Sequence, residues 1–281
     1  MLESVVNVSE GQDRRIIDAI GAAAGPALLD VHRDPDHHHS VFTVAAPDSG
    51  RTEAATRRIV DVAFADLDLA DHVGVHPRLG IVDVVPFVAL APTPADVAVA
   101  AARAFAAWLV RTHHVPVFFY DAAADGRTLP TVRRDAFARL RPDLGPSVPD
   151  PRLGAAAVGA RPPMIAVTVD LDSADLALAR SIATAIRERD GGLAGVRALG
   201  FALDGPGIVQ VSMNLVDLGA TGMERACTEV RRLAERAGVA ARRVELVGLV
   251  PAAELARCGH EFRAWSGLTD ADTIEARASH A

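Results

Sequence analysis

The residues best suited to chemistry lie in the stretch Gly74-Val75-His76-Pro77-Arg78-Leu79-Gly80. A histidine placed before a proline is held in an extended or turn conformation, and a glycine at each end lets the chain bend sharply. The apolar run that follows, VDVVPFVAL, is continuous enough to form a buried strand, which would fix the loop at the edge of a sheet. An imidazole on such a support can exchange protons near neutral pH, since its unperturbed pKa is about 6.5. Arg78, two residues on, can grip a carboxylate with both arms of its guanidinium. Taken alone, the same residues also describe an ordinary loop histidine beside a surface arginine.

A second cluster, Asp34-Pro35-Asp36-His37-His38-His39-Ser40, holds the atoms a divalent metal requires. Adjacent side chains rarely converge on one ion, however, and in an extended run only alternate residues share a face. His38 and Ser40 then point one way, His37 and His39 the other. A solvated loop and a metal site both stay open. The third stretch, Gly145-Pro146-Ser147-Val148-Pro149-Asp150-Pro151-Arg152-Leu153-Gly154, has the composition of a linker and equally of a binding loop. Ser212 and Asn214 fall on one face of a strand, where they could line a site or complete a sheet edge. No Gly-x-Gly-x-x-Gly after a strand, Walker loop, Gly-x-Ser-x-Gly elbow or zinc-type cysteine pair occurs.

The elements that must position these groups alternate between strands and helices. Residues 4–8, 27–31, 41–45, 81–90 and 115–120 read as strands, and 13–24, 52–67, 93–111 and 131–140 as helices. Six prolines break any regular element across residues 141–163. Beyond it, residues 164–171, 196–203, 208–216 and 244–250 read as strands and 173–190 and 221–237 as helices, with a hairpin turn at Asp204-Gly205-Pro206-Gly207. The second half is therefore β-α-β-β-α-β, the ferredoxin-like order. The first half begins with that order and adds a further helix and strand. The expected fold is α/β, two α+β sandwiches of ferredoxin-like βαββαβ order at residues 1–162 and 163–281, with a ligand cleft between them.

Composition narrows the function. The 281 residues are enough for two cores, and with 4% aromatic residues those cores must be built from Ala, Val, Leu and Ile. Every basic side chain is Arg, which excludes lysine Schiff-base chemistry. A net charge of -7 argues against a nucleic-acid partner. Cys227 and Cys258 suggest a reducing compartment. The start MLESVVNV has no basic n-region, and no apolar run reaches the roughly 18 residues of a membrane span. A soluble, cytoplasmic protein without a membrane partner is expected.

With these motifs in order, the chain resembles the formiminotransferase family. The matching stretches are Val6-Asn7-Val8-Ser9-Glu10-Gly11, Val41-Phe42-Thr43, the His76 loop with Asp83-Val84-Val85-Pro86-Phe87, Gly126-Arg127-Thr128-Leu129-Pro130, Gly145-Pro146-Ser147, Gly159-Ala160-Arg161, Gln210-Val211-Ser212-Met213-Asn214-Leu215 and Leu246-Val247-Gly248-Leu249-Val250-Pro251. The resemblance implies transfer of a formimino group from N-formimino-L-glutamate to tetrahydrofolate, a step of histidine degradation and one-carbon metabolism. It implies His76 as the catalytic residue and the ten residues from Gly145 to Gly154 as the folate-binding stretch. His38, Arg78, Arg161 and Asn214 are expected to contact substrate. Tetrahydrofolate enters as a co-substrate, no metal is expected, and a homodimer is the common form. The chain departs from the family pattern at Val75, where an acidic residue is usual, at His38-His39, where Asn-Arg or His-Arg is usual, and across residues 148–153. A folate-binding paralogue without turnover, or a transferase using another one-carbon donor, are the alternatives those departures leave.

Overall fold

The structure is a computed structural model that describes residues 1–35, 38–71, 78–203 and 207–279. The chain divides into two compact units, Met1–Arg161 and Pro162–Ser279. The first contains β1 (Leu2–Val8), α1 (Arg14–Ala24), β2 (Leu28–Asp34), β3 (His39–Ala46), α2 (Ser49–Asp66), β4 (Val82–Ala89), α3 (Ala95–His113), β5 (Val117–Asp121), α4 (Leu129–Asp135) and β6 (Ala156–Ala160). Short polar residues start three of these helices. Asp13, Asp48 and Thr128 accept backbone N–H groups in the first turns of α1, α2 and α4, satisfying donors that have no partner within the helix.

The six strands form one sheet in the order β2-β3-β1-β4-β6-β5. The first four are antiparallel neighbours and reproduce the expected ferredoxin-like order, while β6 lies parallel to both β4 and β5. One face of the sheet packs through Val6, Phe42, Val44, Val85 and Phe87 against Ile17 and Ile20 of α1, Ile59 of α2 and Phe105 of α3. On the other side Val84, Phe118, Tyr120 and Ala157 meet Val132 of α4. The pleat sends alternate residues to opposite faces. By register, Glu3, Asn7, Asp30, His39 and Thr43 therefore share the face away from the large core.

Strand β6 corrects the sequence reading. The run Ala156–Ala160 sits within a segment read as irregular, yet it is buried at every position between two parallel neighbours. Ala and Gly are poor strand formers on average, so no propensity marks it. Its small residues serve packing instead: a Cβ on Gly159 would stand 2.5 Å from the Tyr120 ring, which is its neighbour in register. Helix α4 also starts and ends earlier than residues 131–140, because the chain turns at Phe137, where φ is 60°.

The second unit contains β7 (Ile165–Leu171), α5 (Leu176–Ile186), β8 (Val196–Ala202), β9 (Val209–Leu215), α6 (Met223–Arg236) and β10 (Ala241–Val247), followed by α7 (Ala252–Ala256), α8 (His260–Ser266) and α9 (Ile274–Ser279). Its sheet has the order β10-β7-β9-β8, the ferredoxin-like arrangement expected. Val167, Val169, Val211 and Met213 pack against Ile182 of α5 and Val230 of α6. The opposite face carries Thr168, Asp170, Gln210, Ser212 and Asn214 in register. The hairpin turn at Asp204, Gly205 and Pro206 lies outside the described residues. Among those described, no helix is long and apolar enough to cross a membrane.

Candidate functional site

His76 itself, with residues 72–77, lies outside the described residues; the chain is described again from Arg78. From there it is held closely. Leu79 N–H donates to Asp83 Oδ1 at 2.7 Å, and Leu79 C=O accepts Ala155 N–H at 2.9 Å. Ser9 Oγ–H donates to Gly80 C=O at 2.9 Å, Ser9 N–H to Ile81 C=O at 2.8 Å, and Ile81 N–H to Leu153 C=O at 3.0 Å. Three segments remote in sequence, around Ser9, Gly80 and Gly154, thus meet within hydrogen-bonding distance. The approach demands glycine. A Cβ on Gly80 would lie 2.4 Å from the Leu153 oxygen, and one on Gly154, where φ is +76°, would lie 2.4 Å from the Leu79 oxygen.

The expected folate stretch divides in two. Gly145, Pro146, Ser147, Val148 and Pro149 are exposed, Val148 at 64%. Pro151 and Arg152 are exposed as well, but the remainder is bonded into the fold. Asp150 Oδ1 accepts the N–H groups of Arg152 and Leu153 at 2.8 and 2.7 Å, and Asp150 and Gly154 exchange backbone bonds of 2.9 and 2.8 Å. Leu153 enters the large core. Arg152 donates to Leu67 C=O at 3.1 Å and to Phe64 C=O at 2.6 Å, two carbonyls at the C-terminal end of α2. A cation there satisfies acceptors the helix leaves open and opposes its dipole.

A second arrangement forms where β1 hands over to α1. Glu10 Oε1 accepts N–H from Gln12 at 2.6 Å and from Asp13 at 2.9 Å, and Ser40 Oγ–H donates to Glu10 C=O at 2.6 Å. Gly11 N–H donates to His38 Nδ1 at 3.0 Å, with Glu10 Oε1 3.5 Å from the same nitrogen. Because Nδ1 accepts, a neutral His38 carries its proton on Nε2. His38 and Ser40 meet one segment, whereas His39 Nε2 lies 3.3 Å from Asn7 Oδ1. Gly11 is again obligatory, since a Cβ would stand 2.2 Å from the Asp34 oxygen. His37 and Asp36 lie outside the described residues. Among those described, no three His, Cys, Asp or Glu side chains gather as a metal-binding group.

Asp83 is the charged residue within the buried run of β4, 3% exposed. Arg133 of α4 reaches it with both arms, Nη2 to Oδ2 at 2.5 Å and Nη1 to Oδ1 at 3.3 Å. Partial burial lowers the pKa of Arg78, and the nearby Asp83 carboxylate opposes that shift. Tyr120 is 2% exposed, and burial pushes its phenol well above the ordinary value, against the charge and hydrogen bond of Arg161. Arg161 follows β6 directly, its N–H bonded to Phe87 C=O at 3.1 Å.

Of the expected substrate contacts, His38, Arg78 and Arg161 belong to the first unit. Asn214 belongs to the second, exposed on β9 in register with Arg197 and Ala166. Sequence reasoning did not single out Asn7, Ser9, Asp83, Tyr120 or Arg133. The usable signal for Asp83 was an acidic residue inside an apolar strand, since a fully buried carboxylate requires partners.

Comparison with known proteins covers both units. A model of the formiminotransferase domain, N-terminal subdomain, matches residues 1–161, and one of the formiminotransferase domain matches residues 166–273. The chain is 36% identical to glutamate formimidoyltransferase of Thermoplasma acidophilum, over 100% of this chain and 98% of that protein. It is 34% identical to glutamate formimidoyltransferase of Streptococcus pyogenes, over 91% of this chain and 90% of that one. The formimidoyltransferase-cyclodeaminase of Sus scrofa is 34% identical, over 89% of this chain and 50% of its own length.

Proposed function

Since the chain belongs to the formiminotransferase family through both of its units, we propose that it moves the formimino group of N-formimino-L-glutamate to tetrahydrofolate. What carries this reading is the agreement, over nearly the full length of each partner, with two proteins named glutamate formimidoyltransferase.

The chemistry asks for one proton carrier and two held substrates. A ring nitrogen of the reduced pterin adds its lone pair to the formimino carbon and gives up its proton. The tetrahedral adduct then breaks its bond to the glutamate nitrogen, which must gain a proton to leave. One imidazole can take the first proton and return it to the second nitrogen, a contribution of about 10²- to 10⁴-fold in rate. His76 is assigned that role from its place in the His76-Pro77-Arg78 motif. Holding both substrates together makes the reaction effectively unimolecular. Arg78 and Arg161 suit the glutamate carboxylates, because guanidinium binds them bidentately. The exposed run at residues 145–149 is the part of the folate stretch proposed to meet the ligand. His38 and Asn214 are the other residues proposed to contact substrate. The reaction needs no metal, and a cytoplasmic homodimer is the expected form.

The test is turnover of N-formimino-L-glutamate with tetrahydrofolate, with and without a chelator. Activity that survives EDTA fits the proposal. Folate binding without turnover would replace it with a binding protein on the same scaffold.

A further inference from the structure

We infer that Asp83 is a positioning residue: its carboxylate, held by Arg133, fixes the chain that leads out of the His76 loop. The inference rests on the reading of His76 as the proton carrier.

The geometry is specific. Asp83 lies in the second position of β4, a strand paired on both sides, so its own backbone cannot drift. Its side chain reaches back four residues to the N–H of Leu79 at 2.7 Å. Leu79 follows His76 by three residues, so the bond acts at most about 11 Å along the chain from the imidazole-bearing Cα. Other bonds described on residues 79–81 involve neutral groups, Ser9, Leu153 and Ala155. Asp83 supplies a charged one at Leu79, and charge-assisted bonds are shorter and stronger than neutral ones.

A carboxylate 3% exposed persists as an anion only with a compensating partner. Arg133 provides it at 2.5 and 3.3 Å from the short helix α4, outside the ferredoxin-like core. Oδ1 is shared by Leu79 N–H and Arg133, so the guanidinium orients the oxygen that holds Leu79. Arg78 also senses this charge. Helix α4 thereby acts, through Asp83, on the segment that begins at Arg78. The expected signature is a defect in turnover and not in affinity, since a misplacement of about 1 Å costs up to roughly 10²-fold in rate.

The experiment compares wild type, Asp83→Asn, Asp83→Ala, Arg133→Met and the double variant Asp83→Asn/Arg133→Met. Steady-state kinetics with both substrates are measured alongside folate affinity, melting temperature and hydrogen exchange of peptides spanning residues 72–82. Each single variant should lower kcat about 10- to 100-fold, with KM and folate Kd within about twofold. The double variant should be no worse than the worse single one, because the two residues act as a unit. Asp83→Asn keeps an acceptor for Leu79 N–H and should exchange more slowly in that peptide than Asp83→Ala. A lower melting temperature with unchanged kcat per folded molecule would make Asp83 a structural brace and overturn the inference. So would unaltered exchange in Asp83→Ala. Exchange needs no substrate: a wild type without turnover defeats the proposed function, while faster exchange in Asp83→Ala still supports the anchoring of the loop.

Discussion

Replacing Arg152 with Met separates two roles for one side chain. The family resemblance places Arg152 among folate-binding residues, whereas its guanidinium is bonded to Leu67 C=O at 3.1 Å and Phe64 C=O at 2.6 Å. Met keeps most of the aliphatic stem and removes the charge. A hydrogen bond to a charged group contributes about 1.5–3 kcal/mol when shielded. Arg152 is exposed, so water competes and screening reduces each bond to well under that figure. Favourable interaction with the α2 dipole adds about 0.3–1 kcal/mol. The sum is near 1.5 kcal/mol, or about 3–6 °C in melting temperature for a unit of this size. Urea unfolding and folate titration on the same preparation read both quantities. The expected result is a lower urea midpoint with folate affinity changed less than about threefold, under 0.7 kcal/mol. An unchanged midpoint with a tenfold or greater loss of folate affinity would refute the capping argument and return Arg152 to the ligand.

Three further outcomes follow from the site. His76→Ala should lower kcat by about 10²- to 10⁴-fold in a protein that melts normally; near-normal turnover would remove His76 from the mechanism. Gly80→Ala should destabilise by about 1–3 kcal/mol or more, because the new Cβ meets the backbone oxygens of Leu153 and Ala155 at 2.4 and 2.5 Å, and a chemical-denaturation midpoint measures it. Tyr120 is the chain's one tyrosine, so tyrosinate absorbance reports it alone. Burial raises its folded pKa, so the unfolded chain releases the proton first. The stabilisation is complete below about pH 10 and is lost as pH rises through the folded value. Absorbance should therefore rise only together with unfolding; a reversible titration of the folded protein near pH 10 would contradict the burial.

The ferredoxin-like order was legible because its strands alternate or run apolar and three of its four helices, α1, α2 and α5, carry an aspartate cap. Val167, Val169 and Val211 advertise their strands, and Asp13 and Asp175 their helices. Strand β6 was hidden because Ala156–Ala160 was selected for closeness to its neighbours, a property of partners and not of local propensity. The His76 loop drew attention through its residue types, whereas Asp83 passed as one letter in an apolar run. Arg152 could not be assigned from sequence, because its partners lie 85 and 88 positions away. Pairings of that range leave no periodic trace in the chain.

The placement of β6 sets an order of assembly. It is the last strand of the first unit to be synthesised, yet it lies between β4 and β5, and β5 reaches the sheet only through it. A nascent chain can pair β1, β2, β3 and β4 as soon as they emerge, but β5 and α4 must wait for a strand made later. Parallel pairings across long separations close slowly and leave unpaired edges in the interim. The exposed edge of β4 is thus the hazard during synthesis, and residue 160 marks the point at which the first unit can become whole.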